Sequence, residues 1–503
     1  MIHLAHKGKL LRPNLARLTS RICLGLAFAM LFPSLALASE KALNWPPDAH
    51  NFLTTIVLAF LVPVGLTLMA IGGSREERAA DVAVSALAAV ALSLVGYLAC
   101  GFAFQFGGLG LVASWPGLEA FQREWSPLDV SLGPGWGAIG LQGFWLQDPS
   151  LDTRAYAFFW IQWLPVIVAT LIPLAALAGK VSNGVLLLVG LLMSGVIYPL
   201  FGNWVWGGGW LAHLGQNLGW GHGLVDFAGA TLIFVLGGGL ALAAIGGFRL
   251  KKPATTPGEP VRLPPLHFPL LMILGAFLTL AGWLAMSLSN PLAMAGDIHP
   301  ITVIGNLFFA AAGGVMLPLL YTWFVAGKPD ALLTARGLIA GLVAASASVA
   351  FAPTWAALLI GAGAGLLLPF ALYISTHLLR WDDECAVTGT FLLPGLWGLL
   401  AVGLFASGRW GIGWNSVGTE GYLGIPDQGV TGRWPGPGFQ ADWPGQFQAQ
   451  LAGVAAAVAL SFLLPLILFS VLAYIKRLVG KRIPKPAPQQ DAERPSSTEQ
   501  EAV

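Results

Sequence analysis

Trp206 ends an apolar segment beside three glycines, Gly207, Gly208 and Gly209. Phe102 and Phe106 stand one helical turn apart, at i and i+4. Glycines let backbone approach closely, and an indole beside them can face a pore mouth. Three such rings could form a cage for a small cation, at about 0.5–2 kcal/mol per cation–π contact. An interfacial Trp and two core Phe is the alternative reading of the same residues. Asp226 is the one acid just inside an apolar segment. An ionisable group there costs about 2.5–3.5 kcal/mol on insertion scales, so it marks a function or a satisfied network. It either caps the helix that follows, by accepting backbone N–H groups, or its field stabilises a cation at the mouth. His222, one turn earlier, is expected to be its interfacial partner. Asp382 and Asp383 precede another apolar segment and fit helix capping.

The elements that hold these residues follow from the scarcity of charge. Of 503 residues, 56% are hydrophobic and 10% charged, against about 25% charged in soluble proteins. That excludes a water-soluble globular enzyme and leaves an all-α polytopic membrane protein. A net charge of +2 gives no reason to expect nucleic acid. The three cysteines, Cys23, Cys100 and Cys385, form no CxxC pair, and no metal or cofactor is expected. There is no HExxH, no GxSxG and no lysine within a span, so an enzyme is not expected.

Residues 1–38 read as a signal peptide. A basic stretch runs to Arg21, an apolar run extends to about Leu35, and Ala36-Leu37-Ala38 is a cleavage site. An uncleaved first helix is the alternative, though the run is short of the ~20 residues a span needs. The membrane domain is expected over 39–478, with a disordered cytoplasmic tail over 479–503. Eleven apolar segments of spanning length lie near 52–72, 80–101, 155–178, 183–202, 222–247, 267–289, 301–326, 334–352, 355–378, 386–407 and 449–475. With the N-terminus outside and the C-terminus cytoplasmic, 16 Lys and Arg fall inside, five outside and five in the signal. That distribution obeys the positive-inside rule, which supports the count of eleven and a place in the cell inner (plasma) membrane. Two long outer loops, 107–153 and 408–448, are rich in Gly, Pro and Trp.

Asp226 is followed by Thr231 at +5 and Phe234 at +8, and Asp383 by Thr388 and Phe391 at the same steps. The two segments start from opposite faces, five spans apart. That is the pattern of an inverted repeat of two five-helix halves plus a final helix, with its site near the midplane. At ~1.5 Å per residue, the +8 position lies about 12 Å inside. From both faces of a ~30 Å core, Phe234 and Phe391 should meet near its middle.

Several stretches resemble the Amt/Mep/Rh ammonium transporter family. They are Val205-Trp206-Gly207-Gly208-Gly209, Asp226-Phe227-Ala228-Gly229, Phe106-Gly107 and Gly341-Leu342-Val343-Ala344. The run from Trp355 to Gly365, then Asp382-Asp383 and Gly389, continues the resemblance, which covers most of 50–475. It implies an ammonium transporter-like fold, a homotrimer in the lipid bilayer with one pore per subunit, and ammonium or ammonia as substrate. It also implies Trp206, Phe102, Phe106 and Asp226 at the substrate mouth, with Asp226 in a supporting rather than a proton-transferring role.

The departures bear on mechanism. The family's two pore histidines fall at Phe234 and Phe391 in this sequence. Its second gating Phe falls at Met286 and a nearby Ser at Asn290. The cytoplasmic segment that couples family members to PII-type regulators is not recognisable after Gly480, so such regulation is not expected. Phe supplies neither the hydrogen bonds nor the proton path of His. A channel or transporter working without the twin-His relay is the first expectation. A pore-dead sensor or binding subunit is the second.

Overall fold

The computed structural model describes residues 49–482, apart from 114, 116, 149–150, 253–264, 266, 292 and 295–296. The expected signal peptide lies outside the described residues, as does the expected tail from 483 on; residues 479–482, expected to be disordered, instead continue the last helix, which runs to Arg482. The eleven expected segments each correspond to a helix: α1 (Ala49–Gly73), α2 (Glu76–Leu111), α3 (Thr153–Leu177), α4 (Asn183–Val205), α5 (Ala230–Gly247), α6 (Phe268–Ser289), α7 (Pro300–Ala326), α8 (Ala331–Ala345), α9 (Thr354–Leu378), α10 (Thr388–Phe405) and α11 (Gly445–Leu478). Ten are long and apolar enough to cross a membrane, and α8 is the shorter eleventh.

Packing follows the two halves. α1 lies along α6, α2 packs on α3 and α4, and α7 packs on α8 and α9. The α5 and α10 helices meet at the centre, and α11 lies against both. Burial sorts the helices by place: α3 and α5 are enclosed on nearly all sides, whereas α11 leaves most of its apolar surface outward. Lipid is as apolar as leucine, so close packing of small residues does the holding between helices. A Cβ on Gly65 of α1 would collide with the Gly275 carbonyl of α6, so this contact needs glycine.

Two helices are shorter than their hydrophobicity suggested. The eighth apolar segment runs to Ala352, but α8 ends at Ala345. The fifth begins near His222, but α5 begins at Ala230. The two unwound stretches satisfy one another. The N–H groups of Phe227 and Ala228 donate to the carbonyls of Ala347 (3.3 Å) and Ser346 (2.9 Å). Non-helical backbone deep in a membrane protein persists only where protein or a cavity satisfies it, as it does here. Hydropathy registers neither break, because both stretches remain apolar.

The two long loops lie at the same end of the bundle as the 206–229 segment, which bonds to both. The first carries a small antiparallel pair, Glu124–Trp125 with Ile139–Gly140. The second folds over the entry to α5: the Asn415 side chain donates to the carbonyls of His222 (2.8 Å) and Leu224 (3.2 Å).

Candidate functional site

Both helices that open at the centre begin with an aspartate cap on a π-helical turn. Asp226 Oδ2 accepts from the N–H groups of Thr231 (2.9 Å) and Leu232 (3.1 Å), at the turn Ala230–Val235. Asp383 Oδ1 accepts from Val387 N–H (2.7 Å) and Oδ2 from Thr388 N–H (3.2 Å), at the turn Thr388–Leu392. Three residues after each aspartate the backbone is left-handed, at Gly229 (φ +79°) and Ala386 (φ +54°). Glycine adopts that conformation freely, and alanine at a cost of roughly 1–2 kcal/mol. The capping role expected for Asp226 and Asp383 is present.

Asp382 departs from the expectation, since it caps nothing and instead centres an ion cluster. Arg78 Nη1 reaches Asp382 and Glu384 at 3.0 Å each, and Arg75 reaches Glu384 at 2.5 Å and Asp382 at 3.6 Å. Lys180 Nζ donates to the Asp382 carbonyl at 2.7 Å and lies 3.7 Å from both carboxylates. The reason is position: the 379–387 segment packs against the α1–α2 and α3–α4 turns, whose cations Arg75, Arg78 and Lys180 converge on its two carboxylates. Arg336 of α8 joins through the Glu384 carbonyl (2.8 Å).

Phe234 and Phe391 do meet. Their rings are stacked, with centroids 5.8 Å apart and planes 3° from parallel. Trp283 of α6 covers Phe234 on another side at 4.9 Å, and its indole N–H donates to Ser346 Oγ (3.1 Å). Both phenylalanines are buried. Such ring contacts each contribute about 0.5–1.5 kcal/mol beyond their buried area. Below Phe391 is a narrow cavity of about 30 Å³, lined by Leu66, Met69, Leu171, Ile172, Arg336 and Phe391, among others.

At the outer end, Trp206 turns its indole N–H onto the Asp226 carbonyl (2.8 Å). Phe102 and Phe106 are fully buried, 5.6 Å from each other. Their other described ring contacts are with Tyr97, Phe121, Phe158 and Phe159, and Trp206 is not among them. Asn290 is buried at the end of α6, where its Oδ1 accepts from Gln162 Nε2 of α3 (2.9 Å). His222 is not placed against Asp226. Its buried ring packs on Tyr422 at 4.6 Å, and burial lowers its pKa from 6.5 to about 4. The 408–448 loop holds its ring through Tyr422, and its N–H donates to the Gln446 side chain at the start of α11 (2.9 Å).

Trp283 and Arg336 were not singled out by sequence reasoning. Trp283 was visible only as one of 20 tryptophans. Arg336 was counted as an inner cation, yet its place two residues inside an apolar segment is the signal for a charge held within the membrane domain. Three polar residues within the α2 and α4 segments, Gln105, Tyr198 and Asn203, also went unweighed; all are fully buried.

An inverted pair of five-helix halves, with broken and capped helices meeting at the centre, is the architecture of a membrane transporter. The profile of the Ammonium Transporter Family matches residues 50–485, and the chain belongs to that family. It is 29% identical over 483 residues to the ammonium transporter Amt2 of Archaeoglobus fulgidus, covering 93% of this chain and 92% of the relative. It is 27% identical over 369 residues to an ammonium transporter of Bacillus subtilis, covering 73% and 81%. Among solved structures, a protein described as "Sensor Amt Protein" is similar with a TM-score of 0.66 at 24% identity, covering 85% of this chain and 93% of that one. Mep2 of Candida albicans is similar with a TM-score of 0.64 at 22% identity, covering 86% and 84%. These structural likenesses establish the shared fold.

Proposed function

We propose that the protein is a membrane channel or transporter for ammonium, ammonia or a similar small molecule, working without a twin-His proton relay. The observation that carries the mechanism is the parallel stack of Phe234 on Phe391 at the centre of the inverted repeat. Two rings there offer no proton path, and a polar solute beside them forgoes about 1–3 kcal/mol per unmet hydrogen bond. Trp206 and Asp226 are the proposed substrate contacts at the outer mouth. Phe102 and Phe106 support that mouth through aromatic packing, and Asn290 through its bond to Gln162. The reading extends to a homotrimer in the inner membrane, with the N-terminus outside and the C-terminus cytoplasmic. Sixteen inner against five outer basic residues support that orientation.

A second reading, a non-conducting sensor or binding subunit, is favoured by Trp283 backing the stack and by the small size of the cavity below it. Reconstituted liposomes decide between them. The unmodified protein should carry little or no electrogenic ammonium current, and a robust saturable current would overturn the relay-free mechanism. Phe234→His with Phe391→His should raise conduction about tenfold or more, the change produced by ~1.4 kcal/mol of barrier. No gain in a folded double variant would favour the non-conducting reading.

A further inference from the structure

Arg336 lies in the second turn of α8 and lines the cavity below Phe391. Its one hydrogen bond among the described residues runs from Nη2 to the Glu384 carbonyl, at 2.8 Å. No carboxylate is in ion-pair contact with it there. The neighbouring acids are committed elsewhere. Asp383 uses both oxygens at the start of α10, and Asp330 Oδ1 accepts from Leu333 N–H at the start of α8. Asp382 and Glu384 face Arg75, Arg78 and Lys180. Asp383 and Asp330 act on Arg336 through their field, without contact. A guanidinium has five N–H donors and cannot shed its charge. Held inside a membrane domain with one carbonyl for a partner, it lacks a counter-charge.

The same cavity holds a second open group. Thr390 is 2% exposed, lines the cavity and leaves its Oγ1 without a partner among the described residues. A helical threonine can return its hydroxyl to a carbonyl one turn back, as Thr322 does to Pro318 at 2.9 Å. Thr390, within the π-helical turn Thr388–Leu392, makes no such bond. About nine in ten buried polar groups have a partner, so an open hydroxyl beside an unmatched guanidinium marks a place where something polar binds. The Cys385 thiol, also in the wall, is turned to the Ala175 carbonyl at 3.7 Å. The rest of the wall is apolar, with Leu66, Met69, Leu171, Ile172 and Met272 beside Phe391. A glycine gives the guanidinium its room: a Cβ on Gly73 of α1 would stand 2.7 Å from Nη2. At about 30 Å³ the cavity admits roughly one or two water-sized occupants.

We propose that a halide-sized monovalent anion binds in this cavity, between the Arg336 guanidinium and the Thr390 hydroxyl. Both groups offer hydrogens, and one carries a full positive charge. The matching occupant is small, negative and able to accept from several directions at once. A cation in the same space would meet the guanidinium charge at close range. The anion gives Arg336 what Asp382 and Glu384 give to Arg75, Arg78 and Lys180, and it ties α8 to the first turn of α10 next to Phe391. The site shares no residue with the substrate contacts proposed at Trp206 and Asp226. It holds whether or not anything passes the aromatic stack, so it does not rest on ammonium being the substrate.

Thermal unfolding of the purified full-length protein in detergent tests it. Sodium chloride or sodium bromide replaces sodium gluconate at constant ionic strength and pH. Chloride and bromide are expected to raise Tm saturably, whereas gluconate is too large for the cavity and sets the baseline. Arg336→Gln should abolish the response. Thr390→Val removes one hydroxyl and no charge, and should weaken the apparent affinity about tenfold. Arg75→Gln, at a third-exposed arginine outside the cavity wall, should leave it within about twofold. Crystals grown in bromide should show an anomalous peak beside Arg336. No halide-specific shift in the unmodified protein overturns the proposal. So does a shift of equal size and affinity in all three variants, or one lost in Arg75→Gln but kept in Arg336→Gln. If Arg336→Gln does not fold, Thr390→Val carries the test, and an unweakened response there overturns the site.

Discussion

At the start of α10, Asp383 accepts three hydrogen bonds: two from backbone N–H groups and one from the Thr388 hydroxyl at 2.7 Å. Beside it, Asp382 and Glu384 are held by Arg75, Arg78 and Lys180. At the start of α5, Asp226 caps the repeat-related turn with the same residue spacing, but the Thr231 hydroxyl does not reach it. Its surroundings are Tyr198, Gln105 and Trp206, with no cation in contact among the described residues. One repeat end is saturated and fastened, and the other is capped with acceptors to spare. The lesson is that the repeat reproduces backbone and register, while neighbours from other helices decide what each copy can do.

The comparison can be broken most directly at the ion cluster. Asp382→Ala leaves Lys180, which is 4% exposed, and Arg78 with Glu384 as their remaining carboxylate partner. Breaking a buried pair outright costs about 3–5 kcal/mol; with Glu384 in place the loss is expected at about 2–3 kcal/mol, and Arg75, a third exposed, adds little. Denaturant titration in mixed micelles measures this. A loss under ~1 kcal/mol would mean the inner mouth is no more fastened than the outer.

The caps give the next largest difference. Asp383→Asn should cost about 1–2 kcal/mol, through its lost acceptor strength at three bonds. Asp226→Asn should cost less than ~1 kcal/mol, because weaker capping is offset by removal of an unpaired buried charge. Equal losses in the same titration would erase the distinction. Within the caps, Thr388→Val should cost about 1 kcal/mol for its hydroxyl bond. Thr231→Val, in ammonium-free buffer, should stay within ~0.5 kcal/mol of the unmodified protein. The reverse order would place the spare polar capacity on the wrong side.

A pH dependence is expected in the loop layer. Burial raises Glu124 from its ordinary 4.5 to about 7; Asp129 adds to this, and hydrogen bonding from Asn203 and Ser126 opposes it. An acid with a raised folded-state pKa stabilises relative to the unfolded chain only at low pH. Stability should therefore fall as pH climbs from 4.5 through about 7. Glu124→Gln should flatten that slope in thermal unfolding; an unchanged slope would assign it elsewhere.

Much of this was legible beforehand. The matched steps from Asp226 to Phe234 and from Asp383 to Phe391 pointed to two meeting rings, although the first residues of each step are unwound rather than helical. Less could be said of His222, which spacing puts one turn from Asp226 but which the outer loop carries to Tyr422. Asp382 could not be told from Asp383 by type, since its partner Arg78 is 304 residues away. The early ends of α5 and α8 were hidden because apolar residues can serve either a helix or an unwound turn.

The sequence by itself determined the class, the spans and the matched spacing that sets Phe234 and Phe391 eight residues after an aspartate. Those follow from composition and from intervals along one chain, which solvent and helix geometry make readable. Only the tertiary structure decided that the two rings stack, that Trp283 backs them, and that Asp226 keeps an open oxygen while Asp383 keeps none. Each of those depends on groups brought together across the fold, where distance in space sets the energy and distance in sequence says nothing about it.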